Sequence, residues 1–273
     1  MKLKEVLYGL GIKPRARVYP FELVSFQLER DGDVGFAQWQ HPGALRWKTT
    51  ITQAMVDEAR HWIRPGDTCI DVGAHTGDST LPIALAAGPT GAVLALEPNP
   101  HVYKVLLATA ALNSRTTRIY PLMFAAVPED GELVFEYSDS GFCNGGLHEG
   151  IGQWTHAHFF KLRVKGRNLA RYMEREFPRE ADRLRFVKVD AEGYDRSVVA
   201  SLRPLIERSR PFIRCEVFKH SPHAERTLFW RELHGLGYRI HRFESDTRYR
   251  GEELVEGDMM RWPHFDIFCT PDA

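Results

Sequence analysis

Short apolar runs alternate with segments of helical periodicity from residue 68 onward, and this alternation constrains the fold more than any other feature. Apolar runs of strand length begin at residues 68, 92, 118, 184, 212, 238 and 265. Strands joined by helices form a mostly parallel sheet that helices cover on both faces. We therefore predict an α/β fold, in which ligands bind beyond the carboxyl ends of the strands.

The first 60 residues follow a different pattern. Two β-prone runs, at residues 21–28 and 34–39, flank the sequence RDGD, which is typical of a hairpin. Residues 52–63 then place apolar side chains at helical spacing. We predict an N-terminal hairpin and helix extension over residues 1–60 and a main domain over residues 61–273.

The composition excludes several classes of protein. The 36 Lys+Arg balance the 36 Asp+Glu, so the chain lacks the basic field of nucleic-acid binding. No apolar run approaches the roughly 18 residues of a membrane span. The 4 cysteines form no CxxC pair, and free thiols are typical of a reducing compartment, so we expect a cytoplasmic protein.

The first strand of the main domain runs into a glycine loop, DVGAHTGDST, at residues 71–80. Glycines at 73 and 77 permit tight turns and a close approach to a ligand. His75 and Asp78 occupy the second and third glycine positions of the dinucleotide motif GxGxxG. Asp71 would repel a diphosphate but suits a cationic amine. The alternative is that the glycines only shape a turn.

The second strand ends in LEPNP at residues 96–100. An acid at this place bonds the ribose hydroxyls in nucleotide-binding α/β folds, so Glu97 is a candidate for that role. Asn99 and the two prolines fix the turn and begin the next helix. The alternative for Glu97 is a charge that the helix dipole favours.

These two motifs resemble motifs I and II of the class I S-adenosylmethionine-dependent methyltransferases. The sequence FVKVDAEGYD at residues 186–195 resembles the KIDVEGxE motif of the FkbM family in particular. The resemblance covers about residues 50–245. The chain departs from the family pattern at residues 169–171, where Leu-Ala-Arg stands in place of Leu-Asp-Asp.

The resemblance implies a Rossmann-like, doubly wound sheet of seven strands with the last strand antiparallel. It implies that the loop at Asp71 holds the methionine part of S-adenosyl-L-methionine, that Glu97 holds the ribose, and that the adenine lies near Met123. Asn144 lies in the sequence CNGG, which resembles a family loop near the cofactor. The predicted cofactor-binding residues are Asp71, Gly73, His75, Thr76, Gly77, Thr80, Glu97, Asn99, Phe124, Ala125, Asn144 and Asp190.

Carboxylates also follow the next two strands. Asp190 and Glu192 share a face if their strand continues, and either could act as a general base or bind a divalent ion. Glu216 and His220 follow the strand after that. We predict that Asp190, Glu216 and His220 are the catalytic residues.

Structural alternatives remain for these residues. Asp190 could hold the loop backbone, and Glu192 could pair with Lys188 or Arg196. His220 could be an ordinary surface histidine.

The region after residue 130 carries two further features. His156 and His158 would share one face of a strand and could hold a metal, but no third ligand is evident. Metal dependence therefore stays open. Aromatic side chains that could stack on a sugar or form a core are Phe135, Tyr137, Phe142, Trp154, Phe159 and Phe160.

We predict an S-adenosylmethionine-dependent O-methyltransferase that methylates a hydroxyl of a small-molecule or glycan acceptor, such as a sugar or a natural-product-like scaffold. Alternatives are a nicotinamide-dependent oxidoreductase, disfavoured by the missing GxGxxG, and a non-catalytic carbohydrate-binding or scaffold protein that kept the fold. We expect the extension to cover the acceptor side or to make a subunit contact in a homo-oligomer.

Overall fold

The computed structural model describes residues 18–42, 44–137 and 160–272. The β-strands are β1 (Phe21–Leu28), β2 (Gly32–Trp39), β3 (Thr68–Val72), β4 (Ala92–Leu96), β5 (Ile119–Leu122), β6 (Ala125–Ala126), β7 (Gly131–Tyr137), β8 (Phe160–Arg167), β9 (Leu184–Val189), β10 (Phe212–Val217), β11 (Tyr238–Ser245), β12 (Arg248–Glu253) and β13 (Phe265–Pro271). The α-helices are α1 (Gln53–Trp62), α2 (Thr80–Ala87), α3 (Pro100–Leu112), α4 (Leu169–Glu176), α5 (Pro178–Ala181), α6 (Asp195–Ser201), α7 (Arg203–Ser209) and α8 (His223–Gly235).

One large sheet organises these elements, with the strand order β12-β11-β13-β10-β9-β3-β4-β5. Strands β10, β9, β3, β4 and β5 are parallel, whereas β13 is antiparallel to both of its neighbours. The chain leaves β3 towards β4 on one side and returns through β9 on the other, so the ligand crevice is expected at the carboxyl end of β3.

This topology confirms the predicted Rossmann-like sheet with its antiparallel last strand. The seven expected strands are present, and β12 adds an eighth at the edge, where it forms a hairpin with β11. The third strand is shorter than the predicted residues 118–124. The chain leaves the main sheet after Leu122, and Ala125–Ala126 joins a separate sheet with the order β6-β8-β7.

Strands β3 and β4 are mostly apolar, and each has a neighbouring strand on both sides in the main sheet. Every residue of β3 and β4 is buried, as expected for parallel strands covered on both faces. Every residue of α2 is buried as well. Pro82 is the third residue of that helix, within the first turn, where its missing N–H leaves no helical bond unmade.

The N-terminal hairpin is bonded to helix α3. Asn113 accepts a hydrogen bond from the backbone N–H of Gly35 at 3.1 Å and donates one to its carbonyl at 2.7 Å. The N–H of Ala37 donates to the hydroxyl of Thr109 at 3.2 Å, and that hydroxyl donates to the carbonyl of Thr76 at 3.0 Å. The buried hydroxyl of Thr109 therefore joins the extension to the glycine loop.

The predicted boundary between residues 60 and 61 lies inside α1, and the division into extension and main domain stays a prediction. No helix within the described ranges combines the length and the apolar character that crossing a membrane requires.

Replacing Thr109 with valine keeps the side-chain shape but removes both of these hydrogen bonds. We expect Thr109→Val to lower the free energy of unfolding by about 2 kcal/mol, because two buried backbone groups lose their partner. Chemical denaturation measures this value. Thr116→Val is the control, since Thr116 is exposed beyond the same helix and its hydroxyl makes only a local bond. Equal losses in the two variants would contradict the bridging role.

Candidate active site

Asp71 lies fully buried at the carboxyl end of β3. Its Oδ2 accepts hydrogen bonds from the hydroxyls of Ser79, at 2.9 Å, and Thr80, at 2.7 Å. Its Oδ1 lies 3.1 Å from the Nζ of Lys188. The carboxylate is thus held by the far end of its own loop and by the neighbouring strand, so it closes the glycine loop.

Lys188 on β9 is the functional residue that the sequence reasoning missed. Its ammonium lies 3.1 Å from Asp71 and 3.7 Å from Asp190, and it donates to the carbonyl of Gly73 at 3.3 Å. Burial opposes the charged form, but the two carboxylates outweigh it and raise the lysine pKa. A single lysine inside an apolar strand is the signal that could have revealed it, whereas its position beside Asp71 follows only from the sheet register.

A second, largely buried cation stands beside Lys188 in the sheet. Arg214 on β10 pairs with Lys188 in register. Its guanidinium donates to Asp266 at 3.0 and 3.1 Å and to Asp246 at 2.8 Å. Burial opposes the charged form of Arg214, but these two carboxylates raise its pKa. Asp71, Asp246 and Asp266 are therefore each paired with a largely buried cation.

The glycine loop bends at three residues with left-handed backbone angles, Gly73 (φ 76°), His75 (φ 48°) and Gly77 (φ 94°). A Cβ at position 73 would collide with the carbonyl oxygen of Asp190. Glycine is therefore required for the loop to touch the end of β9. At position 77 a Cβ would lie 3.1 Å from Leu106 on α3, so the loop is also packed against that helix.

Glu97 is buried at the end of β4, with 7% of its surface exposed. Its carboxylate accepts the backbone N–H of Asn99 at 2.8 Å and that of His75. Burial raises its pKa to about 7, against the opposing effect of these hydrogen bonds. Asn99 caps α3 by accepting the N–H of His101 at 2.9 Å. The motif I loop and the acid of motif II are thus directly bonded.

A cleft of about 410 Å³ opens beside this loop. Its loop side is formed by Gly73, His75, Thr76, Asp78, Ser79 and Asp190. The structure therefore brings four of the predicted cofactor residues together around one space. Thr80 is buried behind them and holds Asp71.

Asp190 and Asp195 have different surroundings. The Asp190 side chain is 46% exposed and lines the cleft. Asp195 is buried and accepts the backbone N–H groups of Ala191, at 2.9 Å, and Gly193, at 3.0 Å. Asp195, and not Asp190, therefore holds the backbone of the loop after β9.

Glu192 is partly buried beside Asp190, and burial together with that charge raises its pKa to about 7. The cations considered as its partners bind other carboxylates. Lys188 binds Asp71, and Arg196 donates to Glu225 and Glu232 at 2.7 Å each.

A second cleft, of about 380 Å³, contains Glu192, Glu216 and His220. Glu216 is 5% exposed, and its Oε1 lies 3.0 Å from the Nε2 of His264. Burial and then the charge of Asp190 raise the pKa of Glu216 to about 10. The buried surroundings therefore favour the protonated form of this carboxyl group. His220 is exposed and lies edge-on to Phe218, with 5.4 Å between ring centroids.

The residues predicted for the adenine lie where the chain passes from β5 to β6. Phe124 and Ala125 are buried, and Phe124 packs edge-on against Tyr172 at 4.8 Å between ring centroids. Met123 is 48% exposed. Asn144 lies outside the described residues, and its role stays a prediction.

No group of three or more metal-ligating side chains occurs within the described part of the chain. His156 and His158 lie outside it, as do Phe142, Trp154 and Phe159. Of the aromatic candidates with a described side chain, Phe135 packs into the small core of the β6-β8-β7 sheet.

The residues present fit S-adenosylmethionine. Gly73 brings the loop backbone beside the cleft where no Cβ would fit, and the buried acid Glu97 lies at the end of the neighbouring strand β4. Side-chain nitrogens of Trp39, His75 and Asn99 are buried without a hydrogen-bond partner among the described residues, and buried polar groups normally have one. Sheet order, glycine loop and Glu97 together define the class I methyltransferase architecture.

Comparison with known proteins agrees with this class. The methyltransferase FkbM domain matches residues 71–240. The chain belongs to the FkbM family, whose members are methyltransferases. No curated protein matches the chain as a whole or in part.

Solved structures of methyltransferases resemble the chain at low identity. An FkbM methyltransferase from Methylobacillus flagellatus KT is 14% identical with a TM-score of 0.47, over 79% of this chain and 51% of that chain. Aeropyrum pernix fibrillarin, with natively bound S-adenosyl-L-methionine, is 13% identical with a TM-score of 0.43, over 94% and 85%. A SAM-dependent O-methyltransferase from Thermotoga maritima is 13% identical with a TM-score of 0.42, over 93% and 78%.

Proposed function

We propose that the protein transfers the methyl group of S-adenosyl-L-methionine to a hydroxyl of a sugar or natural-product-like acceptor, either a small molecule or a glycan. The observation that carries the proposal is the glycine loop, which is bonded to Glu97 and lines a cleft together with Asp190. This arrangement offers a ribose acceptor, a close-approach loop and a carboxylate at neighbouring strand ends.

The chain's own residues divide the work of binding. Glu97 accepts the ribose hydroxyls, and the backbone of the loop at Gly73, Thr76 and Gly77 lies against the methionine part. Asp71, with Thr80, acts on the cofactor by fixing that loop. Phe124 and Ala125 border the adenine. The bound cofactor supplies a methyl group already activated on a sulfonium, so alignment of the two reactants is the main task of the protein.

Proton removal is assigned to Asp190. The Asp190 carboxylate would accept the proton of the acceptor hydroxyl during methyl transfer. Asp190 is half exposed beside the cleft. Burial favours the protonated form of Glu216, which in this form donates a hydrogen bond to the acceptor. His220 lines the second cleft together with Glu216.

The two alternative functions can be distinguished by the ligands that the protein would bind. A nicotinamide-dependent oxidoreductase would bind NAD(H), and the FkbM match speaks against it. A non-catalytic protein would bind the cofactor without transferring its methyl group.

Buried free thiols at Cys69, Cys215 and Cys269 support the proposal of a cytoplasmic location.

Binding of S-adenosylhomocysteine should strengthen as pH rises between about 6 and 8. The raised pKa of Glu97 means that the free protein holds a proton there below about 7. The ribose hydroxyls bind the ionised form, so binding releases that proton. Calorimetry should show Glu97→Gln weakening binding and flattening the pH dependence. Glu174→Gln, an exposed acid paired with Arg208, is the control. A folded protein without micromolar affinity would refute the proposed function.

The proton acceptor is tested by comparing two amide variants. Asp190→Asn should lower methyl transfer at least about 100-fold while S-adenosylhomocysteine affinity changes little. Glu216→Gln should keep most activity, because the amide mimics the protonated carboxyl group. Incorporation of label from S-adenosylmethionine into a cell extract, with and without EDTA, measures both variants and metal dependence. Equal losses in the two variants would show that the base is wrongly assigned.

A further inference from the structure

The N-terminal extension forms one wall of the 410 Å³ cleft. Gln38 and Trp39, from the end of β2, face this space together with Thr49, Thr50 and Met55. The glycine loop lines the same cleft. The space beside motif I is therefore enclosed by residues that precede the family match, which begins at residue 71.

Trp39 carries a buried donor without an acceptor. Only 1% of its surface is exposed, and its indole Nε1 has no hydrogen-bond partner among the described residues. Its ring stacks on His41 with 4.7 Å between centroids and lies edge-on to His75 at 5.6 Å. These contacts fix the indole in one orientation. A buried N–H of this kind normally has a partner, so a ligand acceptor is expected here.

The cleft carries charges of both signs. Lys188 and Arg214 line it together with Asp78, Asp190 and Asp246. A ligand with one sign of charge would be repelled by one of these sets. A zwitterion, with a carboxylate and an ammonium on one carbon, has a partner for each group.

We propose that the indole N–H of Trp39, in the N-terminal extension, donates to the carboxylate of S-adenosylmethionine bound in this cleft, an inference that rests on the proposed function. Asp78, which also lines the cleft, then faces the ammonium group. The extension is in consequence a part of the cofactor site. It is bonded there through Thr109, which joins Ala37 of the extension to Thr76 of the glycine loop.

The test compares ligands that differ only at the amino-acid end. S-adenosylhomocysteine has that end, and 5′-methylthioadenosine lacks it but keeps the adenosine. Calorimetry should show Trp39→Phe raising the Kd of S-adenosylhomocysteine about tenfold, as expected for a hydrogen bond to a charged group. The Kd of 5′-methylthioadenosine should stay within about twofold. Trp230→Phe is the matched control. Trp230 lies on helix α8, and its indole N–H donates to the carbonyl of Leu254.

A second comparison needs no variant. Decarboxylated S-adenosylhomocysteine keeps the ammonium and loses the carboxylate, so the wild-type protein should bind it about tenfold more weakly. Equal affinity for the two, or a Trp39→Phe effect that is absent or the same for both ligands, would overturn the assignment of Trp39 while leaving the proposed function standing. A wild-type protein that binds none of these compounds would overturn both.

Discussion

The buried pairing of Asp71 with Lys188 is the interaction on which the site depends. It joins the first and fourth predicted strands of the main domain, β3 and β9, at their carboxyl ends, with 3.1 Å between charged atoms. Two buried charges are tolerated only when each is paired and hydrogen-bonded. Ser79, Thr80 and the carbonyl of Gly73 complete those bonds. The loop geometry is therefore a condition of keeping the pair buried.

The rest of the site is arranged around this loop. On one side its backbone reaches Glu97, and on another Gly73 touches the end of β9. The hydroxyl of Thr109 ties the loop to the N-terminal extension. Such connections leave a cleft whose walls are fixed before a ligand arrives, and this lowers the ordering cost of binding.

The features that could be predicted from the sequence are those that depend on local patterns of residues. The buried strands, the left-handed glycine positions and Glu97 follow from residues near one another in the chain. Lys188 escaped because its pairing with Asp71 depends on the register of β3 and β9, which lie far apart in sequence. Trp39 escaped for the same reason, since only the folded chain brings it to His75. Asp195 was recognised as part of a motif, but its hydrogen bonds to the loop backbone are evident only in the folded chain.

A double-mutant cycle on Asp71→Asn and Lys188→Gln, followed by chemical denaturation, measures the central interaction directly. Each single variant leaves one buried charge without its partner and should lower the free energy of unfolding by about 3 to 5 kcal/mol. The double variant should lose clearly less than the sum of the two, because neither charge then remains. Additive losses would show that the glycine loop does not depend on this pair.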